Sequence, residues 1–178
     1  MSYPRQMASH FIGVGGVVIH ENKVLLVKLT YGPAQGKWLI PGGMVDPGET
    51  LGEAVTREIK EETGVQVKPI GIISVRSMVR SIDRLTDLYC IFLCEVKEIP
   101  SNTPHAIDDV EITEVVWFPL HRLESDPLVT GYTKKVIKAA QSQFFLVPGR
   151  QRTKEELIAG KLEKYEAFWL QDHIGKVQ

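Results

Sequence analysis

The chain has 178 residues, of which 43% are hydrophobic, enough to build the core of a single domain. Its formal net charge of −1 argues against nucleic acid or an acidic membrane as a partner, although a bound metal can still supply positive charge for a phosphorylated ligand. Residues 1–10 contain no apolar run of signal-peptide length, and no segment approaches the ~20 apolar residues of a membrane span. We therefore expect a cytoplasmic protein with no membrane partner, and we expect Cys90 and Cys94 to be buried, reduced thiols.

The first part of the chain predicts three strands and a helix. Two apolar runs, 11–19 and 24–29, flank a polar turn and predict a hairpin. A loop rich in glycine and proline follows, then a short apolar strand at 38–40 and a second glycine- and proline-containing loop. Thr50 with Glu53 three residues later forms a capping box, and Gly64 stands where a C-terminal cap belongs. A helix is therefore predicted over 51–63.

The next part adds long strands and a second helix. Apolar runs at 67–79 and 85–96 predict two strands joined by a turn, and a polar loop over 98–109 leads to a strand at 115–119 and a helix at 132–145. Long strands beside separate helices favour an α/β fold with a mixed sheet. The glycines of Gly13-x-Gly15-Gly16 lie within a predicted strand and lack the Lys-Ser/Thr ending of a phosphate loop, so they indicate close approach of a neighbouring backbone.

A break at Pro148-Gly149 divides the chain into a main domain, 1–147, and a C-terminal extension, 148–178. Within the extension Thr153 and Glu156 form a second capping box. Four apolar residues then fall on one helical face: Ile158, Leu162, Tyr165 and Trp169. We therefore predict a helical extension. Packing on its own domain, a lid over the substrate and a homodimer contact are its alternative roles.

The first predicted helix carries acidic residues on its inner side. On a helical wheel Glu62 points the same way as the apolar Val55, with Glu58 beside it and Glu61 on the margin. Two carboxylates ~4 Å apart in partly buried surroundings repel each other by about 4 kcal/mol at an effective dielectric of ~20. Arg57 alone cannot balance such a cluster. The pattern predicts a hard divalent cation bound through carboxylate oxygens, and a purely structural acid cluster is the alternative.

Residues 43–65 read GMVDPGETLGEAVTREIKEETGV. This segment resembles the Nudix box, Gly-x5-Glu-x7-Arg-Glu-(aliphatic)-x-Glu-Glu-x-Gly-(aliphatic), at every fixed position. The resemblance extends to the approach at 36–43 and to a late strand at 114–118, and it covers roughly residues 10–125. It implies a Nudix fold, which is an α/β/α sandwich with a mixed β-sheet and a loop-helix-loop catalytic box.

The resemblance also implies a role for each matching residue. Three box glutamates would bind one or more Mg²⁺ or Mn²⁺ ions, with a glycine carbonyl as a further ligand: Glu58, Glu61, Glu62 and Gly42. Glu49 and Arg57 would orient this cluster through an ion pair. The implied reaction is attack of a metal-activated water on one phosphorus of a nucleoside diphosphate linked to another moiety, as in a nucleotide sugar, ADP-ribose or a modified nucleoside triphosphate.

The general base and the substrate contacts lie outside the box. Similar enzymes take the base from the box or from a loop before the late strand, where Glu111 is our choice for a base or an extra metal ligand, with an ordinary solvated loop as the alternative. Arg76 and Arg80, near the end of a predicted strand, could reach substrate phosphates, unless they form a solvated edge. Trp38 and Tyr31 could stack on a base, and core packing is the alternative for both.

The substrate is less constrained than the chemistry. The proline typical of ADP-ribose hydrolases is absent, because Ser81 stands at that position. A nucleotide-sensing regulatory domain without catalysis is the alternative function. Such domains commonly lose box acids, however, and this chain retains all of them.

Overall fold

The computed structural model describes residues 10–99 and 111–141 in full, together with the backbone of two later strands. The elements follow one another as β1 (His10–His20), β2 (Lys23–Leu29), β3 (Trp38–Leu39), β4 (Gly42–Met44), α1 (Leu51–Thr63), β5 (Gln66–Arg80), β6 (Thr86–Glu98), β7 (Ile112–Pro119), a short 3-10 helix (Leu120–Arg122), α2 (Gly131–Ala140), β8 (Phe144–Pro148) and β9 (Leu162–Asp172).

The strands of the described chain form one mixed sheet. Seven of them follow in the order β3-β2-β1-β6-β5-β9-β8, while β4 pairs with β1 and β7 pairs with β2. The central pair, β1 and β6, is parallel, with Val14 opposite Cys90. The other strand pairs are antiparallel. A mixed sheet accompanied by two helices confirms the predicted α/β fold.

The first strand changes partner along its length, and this opens the sheet. Next to the turn, β1 pairs with β2 through two residue pairs, Ile19 with Val24 and His20 with Lys23. Farther from the turn, Gly13 to Gly15 pair instead with β4, the strand that leads into α1. Because β1 and β2 diverge, residues between them can line a cavity.

Helix α1 begins and ends at the predicted signals. The Thr50 side chain accepts a hydrogen bond from the Glu53 N–H, and the Glu53 carboxylate accepts one from the Thr50 N–H at 2.7 Å, which completes the capping box. Gly64 ends the helix in the left-handed region, with φ 75°, and its N–H donates to the Lys60 carbonyl. An N-cap side chain such as that of Thr50 contributes about 1 kcal/mol.

Alternation along β1 separates two hydrophobic cores. Val14 and Val18 pack with α1 on one face of the sheet. Val17 points to the opposite face and packs with Val136 and Ile137 of α2. The helices therefore cover opposite faces, which gives the α/β/α layers that the resemblance implied. The two cysteines lie in the core under α1 as free thiols, as predicted, and burial raises the pKa of both.

The second helix is shorter than predicted. α2 ends at Ala140, and Phe144–Pro148 forms β8, so the helix predicted over 132–145 is wrong in its last residues. The physical reason is the run Phe144-Phe145-Leu146-Val147, whose aromatic and β-branched residues favour a strand. Within the described ranges, no helix is long and apolar enough to cross a membrane.

The C-terminal extension is not helical where the structure describes it. Leu162–Asp172 forms β9, which pairs with β5 from Ser74 to Arg80, so the predicted helix is wrong over this range. Aromatic residues at 165, 168 and 169 favour a strand, and the edge of β5 offers N–H and C=O groups that need partners. Thr153, Glu156 and Ile158 lie outside the described residues, as does most of the predicted loop over 98–109.

Candidate active site

The acidic side chains of α1 differ in exposure in the order that the helical wheel predicts. Glu62 is 7% exposed, the Glu58 side chain 14% and the Glu61 side chain 56%. Val55 and Ile59 fix the buried face of the helix, so Glu62 must turn inward with them. Because burying a carboxylate costs free energy unless it is paired, the partners of these groups determine the chemistry of the site.

Arg57 donates hydrogen bonds to three carboxylates at once. Its guanidinium donates to both oxygens of Glu49, from Nε at 2.7 Å and from Nη2 at 2.8 Å, which confirms the predicted ion pair. Nη1 donates to Glu58 Oε1 at 2.9 Å and to Glu61 Oε2 at 3.1 Å. Nη2 also donates to the Met44 carbonyl at 3.0 Å. One guanidinium thus fixes the loop before the helix and two glutamates on it.

The pKa values of Glu49 and Glu58 shift in opposite directions, although Arg57 acts to lower both. The hydrogen bond from Arg57 lowers the pKa of Glu49 from 4.5 to about 2. Burial raises the pKa of Glu58, and the hydrogen bond from Arg57 does not fully offset that burial. The bond to Glu49, together with those to the other glutamates, raises the pKa of Arg57 further above its ordinary value. Glu58 is therefore a carboxylate that lacks sufficient positive charge around it.

Two glycines of β4, Gly42 and Gly43, let this strand approach α1 closely. The Gly42 N–H donates to Glu62 Oε2 at 2.8 Å. A Cβ added to Gly43 would lie 2.5 Å from Glu58 Oε2, and one added to Gly42 would lie 2.1 Å from the Val14 carbonyl oxygen. Side chains at these positions would collide with the carboxylate or the backbone, so the site requires glycine at both.

A cavity of about 460 Å³ adjoins these groups. Three glutamates line the cavity: Glu58, Glu62 and Glu111. The guanidinium of Arg76 also lines it. Aromatic rings contribute a third part of the wall: Tyr31, Tyr89 and Tyr132. The remaining wall is largely apolar and consists of Val27, Leu29, Leu39, Ile40 and Met44, with Gly42, Gly43 and Thr133 beside them. The volume suits a small-molecule ligand.

Arg76 reaches the cavity from β5, where a substrate contact was predicted. Its side chain is 19% exposed, and Nη2 donates to Asp87 Oδ1 at 2.9 Å. The guanidinium carbon lies 4.8 Å from the ring centroid of Tyr89 and 5.6 Å from that of Tyr132. Burial lowers the pKa of Arg76, but Tyr132 and Asp87 outweigh that effect and the net pKa is raised. The residue is a fixed, permanent cation.

The ring of Tyr89 rests on a part of β1 that two glycines keep free of side chains. A Cβ on Gly13 would lie 2.5 Å from Tyr89 Cδ2, and one on Gly15 would lie 2.9 Å from the Tyr89 hydroxyl oxygen. The glycines were predicted to admit a neighbouring backbone, whereas the space is largely taken by a tyrosine ring. Burial raises the pKa of Tyr89, so the phenol stays protonated at neutral pH.

Tyr31 and Glu111 meet at the cavity as an exposed pair. The Tyr31 hydroxyl donates to Glu111 Oε2 at 3.2 Å. The Glu111 carbonyl accepts hydrogen bonds from the N–H of Thr30 at 2.9 Å and from its hydroxyl at 3.1 Å. The contacts anchor the start of β7 to the end of β2. Both residues lie where a base and a substrate contact were predicted, and those roles remain predictions.

Two predicted substrate contacts lie away from the cavity. Trp38 is buried in the core beside α2, with its ring centroid 6.3 Å from that of Phe118, because β3 turns this side chain inward. Arg80 forms an ion pair with Asp83 in the turn after β5, and its guanidinium carbon lies 4.7 Å from the Phe11 ring centroid. The structure shows Trp38 packed in the core and Arg80 in a surface ion pair, and neither side chain lines the cavity.

The first turn of α2 supplies two cavity residues that the sequence did not predict, Tyr132 and Thr133. Thr130 caps this helix by accepting a hydrogen bond from the Thr133 N–H at 3.1 Å. A threonine at this position indicates an N-cap in the sequence, and it therefore indicates where a helix begins. No spacing in the sequence shows that this helix end returns to the acidic box.

The box residues fit a hard divalent cation by their chemistry. In residues 10–99 and 111–141, no three His, Cys, Asp or Glu side chains converge as a ready set of metal ligands, since Arg57 holds Glu58 and Glu61 while the Gly42 N–H holds Glu62. The donors are carboxylate oxygens, which Mg²⁺ prefers. Burial disfavours the ionised form of Glu58, and a cation would restore it.

Comparison with known proteins gives a consistent result. A family model described as the NUDIX domain matches residues 9–140. Nudix hydrolase 8 of Arabidopsis thaliana is 31% identical over 141 residues, which are 76% of this chain and 37% of that protein. The ADP-ribose pyrophosphatase of Methanocaldococcus jannaschii is 35% identical over 127 residues, which are 71% of this chain and 70% of that protein. The chain thus spans well under half of the Arabidopsis relative.

Solved structures agree on the fold. The crystal structure of the MutT NUDIX hydrolase from Burkholderia pseudomallei superposes with a TM-score of 0.61 at 25% identity, covering 73% of this chain and 97% of that one. The fold is an α/β/α sandwich, and its site is an acidic box beside one cavity. With the family match over most of its length, the chain belongs to the Nudix hydrolase family.

Proposed function

We propose that the chain is a Mg²⁺-dependent enzyme, also active with Mn²⁺, that hydrolyses the diphosphate bond of a nucleoside diphosphate linked to another group. The observation that supports this most directly is the presence of Glu58, Glu62 and Arg76 in one cavity of about 460 Å³. Carboxylates can hold a cation and a guanidinium can bind phosphate, so together they suit a metal-bound diphosphate.

The proposed metal ligands are the box glutamates and one backbone oxygen, namely Glu58, Glu61, Glu62 and the Gly42 carbonyl. A bound divalent cation would supply the positive charge that neutralises diphosphate oxygens and activates water. Arg57 is a positioning residue, because it holds Glu58 at 2.9 Å while Glu49 fixes it from the other side. The Gly42 N–H positions Glu62 in the same way.

Glu111 is the proposed general base. A base must lie within hydrogen-bond reach of the water that it deprotonates, and Glu111 lines the cavity that also contains the box carboxylates. The hydroxyl of Tyr31 holds its carboxylate at the cavity wall. Glu111→Gln should lower kcat by about 10²-fold or more with little change in stability.

A small phosphorylated molecule is the proposed partner, in a cytoplasmic setting where cysteines remain reduced. The similarity to a protein named ADP-ribose pyrophosphatase makes ADP-ribose the first substrate to test. Because Ser81 stands where ADP-ribose hydrolases typically have proline, nucleotide sugars and modified nucleoside triphosphates belong in the same panel.

The test is hydrolysis of a substrate panel by the purified chain, with Mg²⁺ or with EDTA. The panel holds ADP-ribose, a nucleotide sugar, an oxidised dGTP, an ordinary dNTP, a dinucleoside tetraphosphate and 5′-triphosphorylated RNA. We expect Mg²⁺-dependent cleavage of one class, and we expect Glu58→Gln and Glu61→Gln to lower kcat/KM by about 10²-fold or more.

Glu53→Gln is the matched control, because Glu53 lies on the exposed side of the same helix and glutamine can replace glutamate in a capping box. This variant should retain activity within about twofold. If the wild type cleaves nothing with any divalent metal but still binds a nucleotide tightly, the hydrolase proposal is wrong and the nucleotide-sensing alternative takes its place.

A further inference from the structure

Arg76 provides the cationic part of the cavity wall. Of the residues that line the cavity in the described part of the chain, Arg76 is the only lysine or arginine, whereas three are glutamates. A phosphorylated ligand that enters this space without a metal would therefore find one cation. Arg76 lies outside the acidic box and comes from a different element, β5.

The contacts of Arg76 fix its position without using all of its hydrogen-bonding capacity. Nη2 donates to Asp87, and the guanidinium carbon lies over the rings of Tyr89 and Tyr132. Ring faces attract a cation but accept no conventional in-plane hydrogen bond. Nε is buried and has no acceptor among the described residues. Buried donors in folded proteins normally have acceptors, so this one requires an explanation.

A purely structural ion pair between Arg76 and Asp87 is the competing explanation. Such a pair would connect β5 to β6. We would expect its guanidinium to be enclosed by the protein and fully hydrogen-bonded. Instead the side chain is 19% exposed, lines the cavity and keeps an unsatisfied Nε. These three features suit a guanidinium that lies beside the cavity and whose donors are not all used by the protein.

Phosphate is the acceptor that this arrangement fits. A guanidinium offers planar, parallel N–H groups that match the oxygens of a phosphate, and it stays charged at every physiological pH. The two tyrosine rings and Asp87 restrict its rotation, so little conformational entropy is lost when a ligand binds. The neighbouring glutamates repel anions, so a fixed cation in the same cavity favours the binding of a phosphate in the absence of metal.

We propose that Arg76, held between Tyr89 and Tyr132, binds a phosphate group of the substrate independently of the divalent cation and so selects phosphorylated ligands over bare nucleosides. The inference rests on the proposed function for the identity of the substrate as a nucleotide. The binding step itself requires neither metal nor hydrolysis.

The experiment is isothermal titration calorimetry in EDTA with ADP, adenosine and inorganic pyrophosphate. Arg76→Met should raise the Kd for ADP by about tenfold to a hundredfold, which is the range for a hydrogen bond to a charged group, and should leave the Kd for adenosine within about twofold. Pyrophosphate carries phosphate groups but no nucleoside, so it tests the phosphate contact by itself. It should compete with ADP in the wild type and not in Arg76→Met.

Arg80→Met is the matched control, because Arg80 lies on the same strand, pairs with Asp83 and does not line the cavity. This variant should bind ADP as the wild type does. The proposal is overturned if wild type binds no ADP in EDTA, or if natively folded Arg76→Met binds ADP unchanged. Equal weakening of ADP and adenosine would also overturn it.

A second variant, Arg76→Lys, tests the proposal if Arg76→Met does not fold. Arg76→Lys keeps the charge but loses the planar pair of donors, so ADP should bind at least about threefold more weakly. Unchanged ADP affinity in a folded Arg76→Lys protein would overturn the proposal. An inactive wild type whose metal-free ADP binding depends on Arg76 would refute the hydrolase function alone and leave this site standing.

Discussion

Replacing Arg57 with methionine would remove the group that holds three carboxylates in place. Methionine keeps an unbranched apolar side chain but donates no hydrogen bond, so the contacts with Glu49, Glu58 and Glu61 are lost. Glu58 is the most affected, because its side chain is only 14% exposed and burial already raises its pKa.

The expected loss of stability follows from the burial of the partners. Removing one member of a fully buried ion pair costs about 3–5 kcal/mol, whereas an exposed pair contributes only ~0.2–1 kcal/mol. The side chains of Arg57 and Glu49 are 25% and 22% exposed, which places this cluster between the two cases. We expect Arg57→Met to lower the free energy of unfolding by about 2–3 kcal/mol and Tm by roughly 5–10 °C.

The assay is urea unfolding followed by circular dichroism in EDTA, so that no bound metal stabilises the acidic cluster. Arg80→Met is the control, since Arg80 is 40% exposed and pairs with a single carboxylate. Its free energy of unfolding should fall clearly less than that of Arg57→Met, because exposed ion pairs contribute little to stability. If the two variants lose the same amount, the carboxylates do not depend on Arg57 and the electrostatic account of the site is wrong.

Two further predictions concern pH and the glycines. The hydrogen bond from Arg57 lowers the pKa of Glu49 from 4.5 to about 2, so its stabilisation is complete above pH 4.5 and is lost as pH falls toward 2. In urea unfolding, the gap between wild type and Glu49→Gln should therefore narrow between pH 6 and pH 3, and a constant gap would contradict this. Gly42→Ala should destabilise the fold by about 3 kcal/mol or more, because the new Cβ meets the Val14 carbonyl. Gly43→Ala should instead lower kcat by about 10²-fold with a small change in Tm, because its Cβ displaces only the Glu58 carboxylate. Melting and kinetics on both variants check this contrast, and equal melting temperatures would refute it.

The acidic helix could be predicted in detail because its information is local. Thr50 and Gly64 mark its ends, and 3.6-residue periodicity orders its glutamates correctly from Glu62, which is buried, to Glu61, which is exposed. The Glu49–Arg57 ion pair came from the family resemblance. These features depend on residues within about twenty positions of one another.

The rest of the cavity wall could not be predicted, because it depends on tertiary contacts. Arg76 and Arg80 look equivalent in the sequence, since residues four apart on a strand point to the same side. They are nevertheless about 13 Å apart along the strand, and only Arg76 reaches the cavity. Tyr132 belongs to a helix that joins the site only once the sheet has formed.

The C-terminal strands show a second limit of local patterns. Spacings of three and four residues between Leu162, Tyr165 and Trp169 fit a helical face, yet this segment forms β9. A short apolar pattern can partly match both the 3.6-residue period of a helix and the two-residue period of a strand. The neighbouring edge of β5 resolves that ambiguity, because it supplies hydrogen-bond partners to an extended chain.

The pairing of β9 with β5 has a consequence for the protein in concentrated solution. β9 pairs with Ser74 to Arg80, while over 66–73 the described residues pair β5 with β6 alone, leaving Ile70 and Ile72 exposed. An apolar sheet edge invites strands of other molecules. Here Pro69 lacks an N–H and the register shifts twice between Pro69 and Ser74, which interrupts a regular intermolecular ladder along this edge. We therefore expect the irregular backbone to disfavour fibril-like association through this edge.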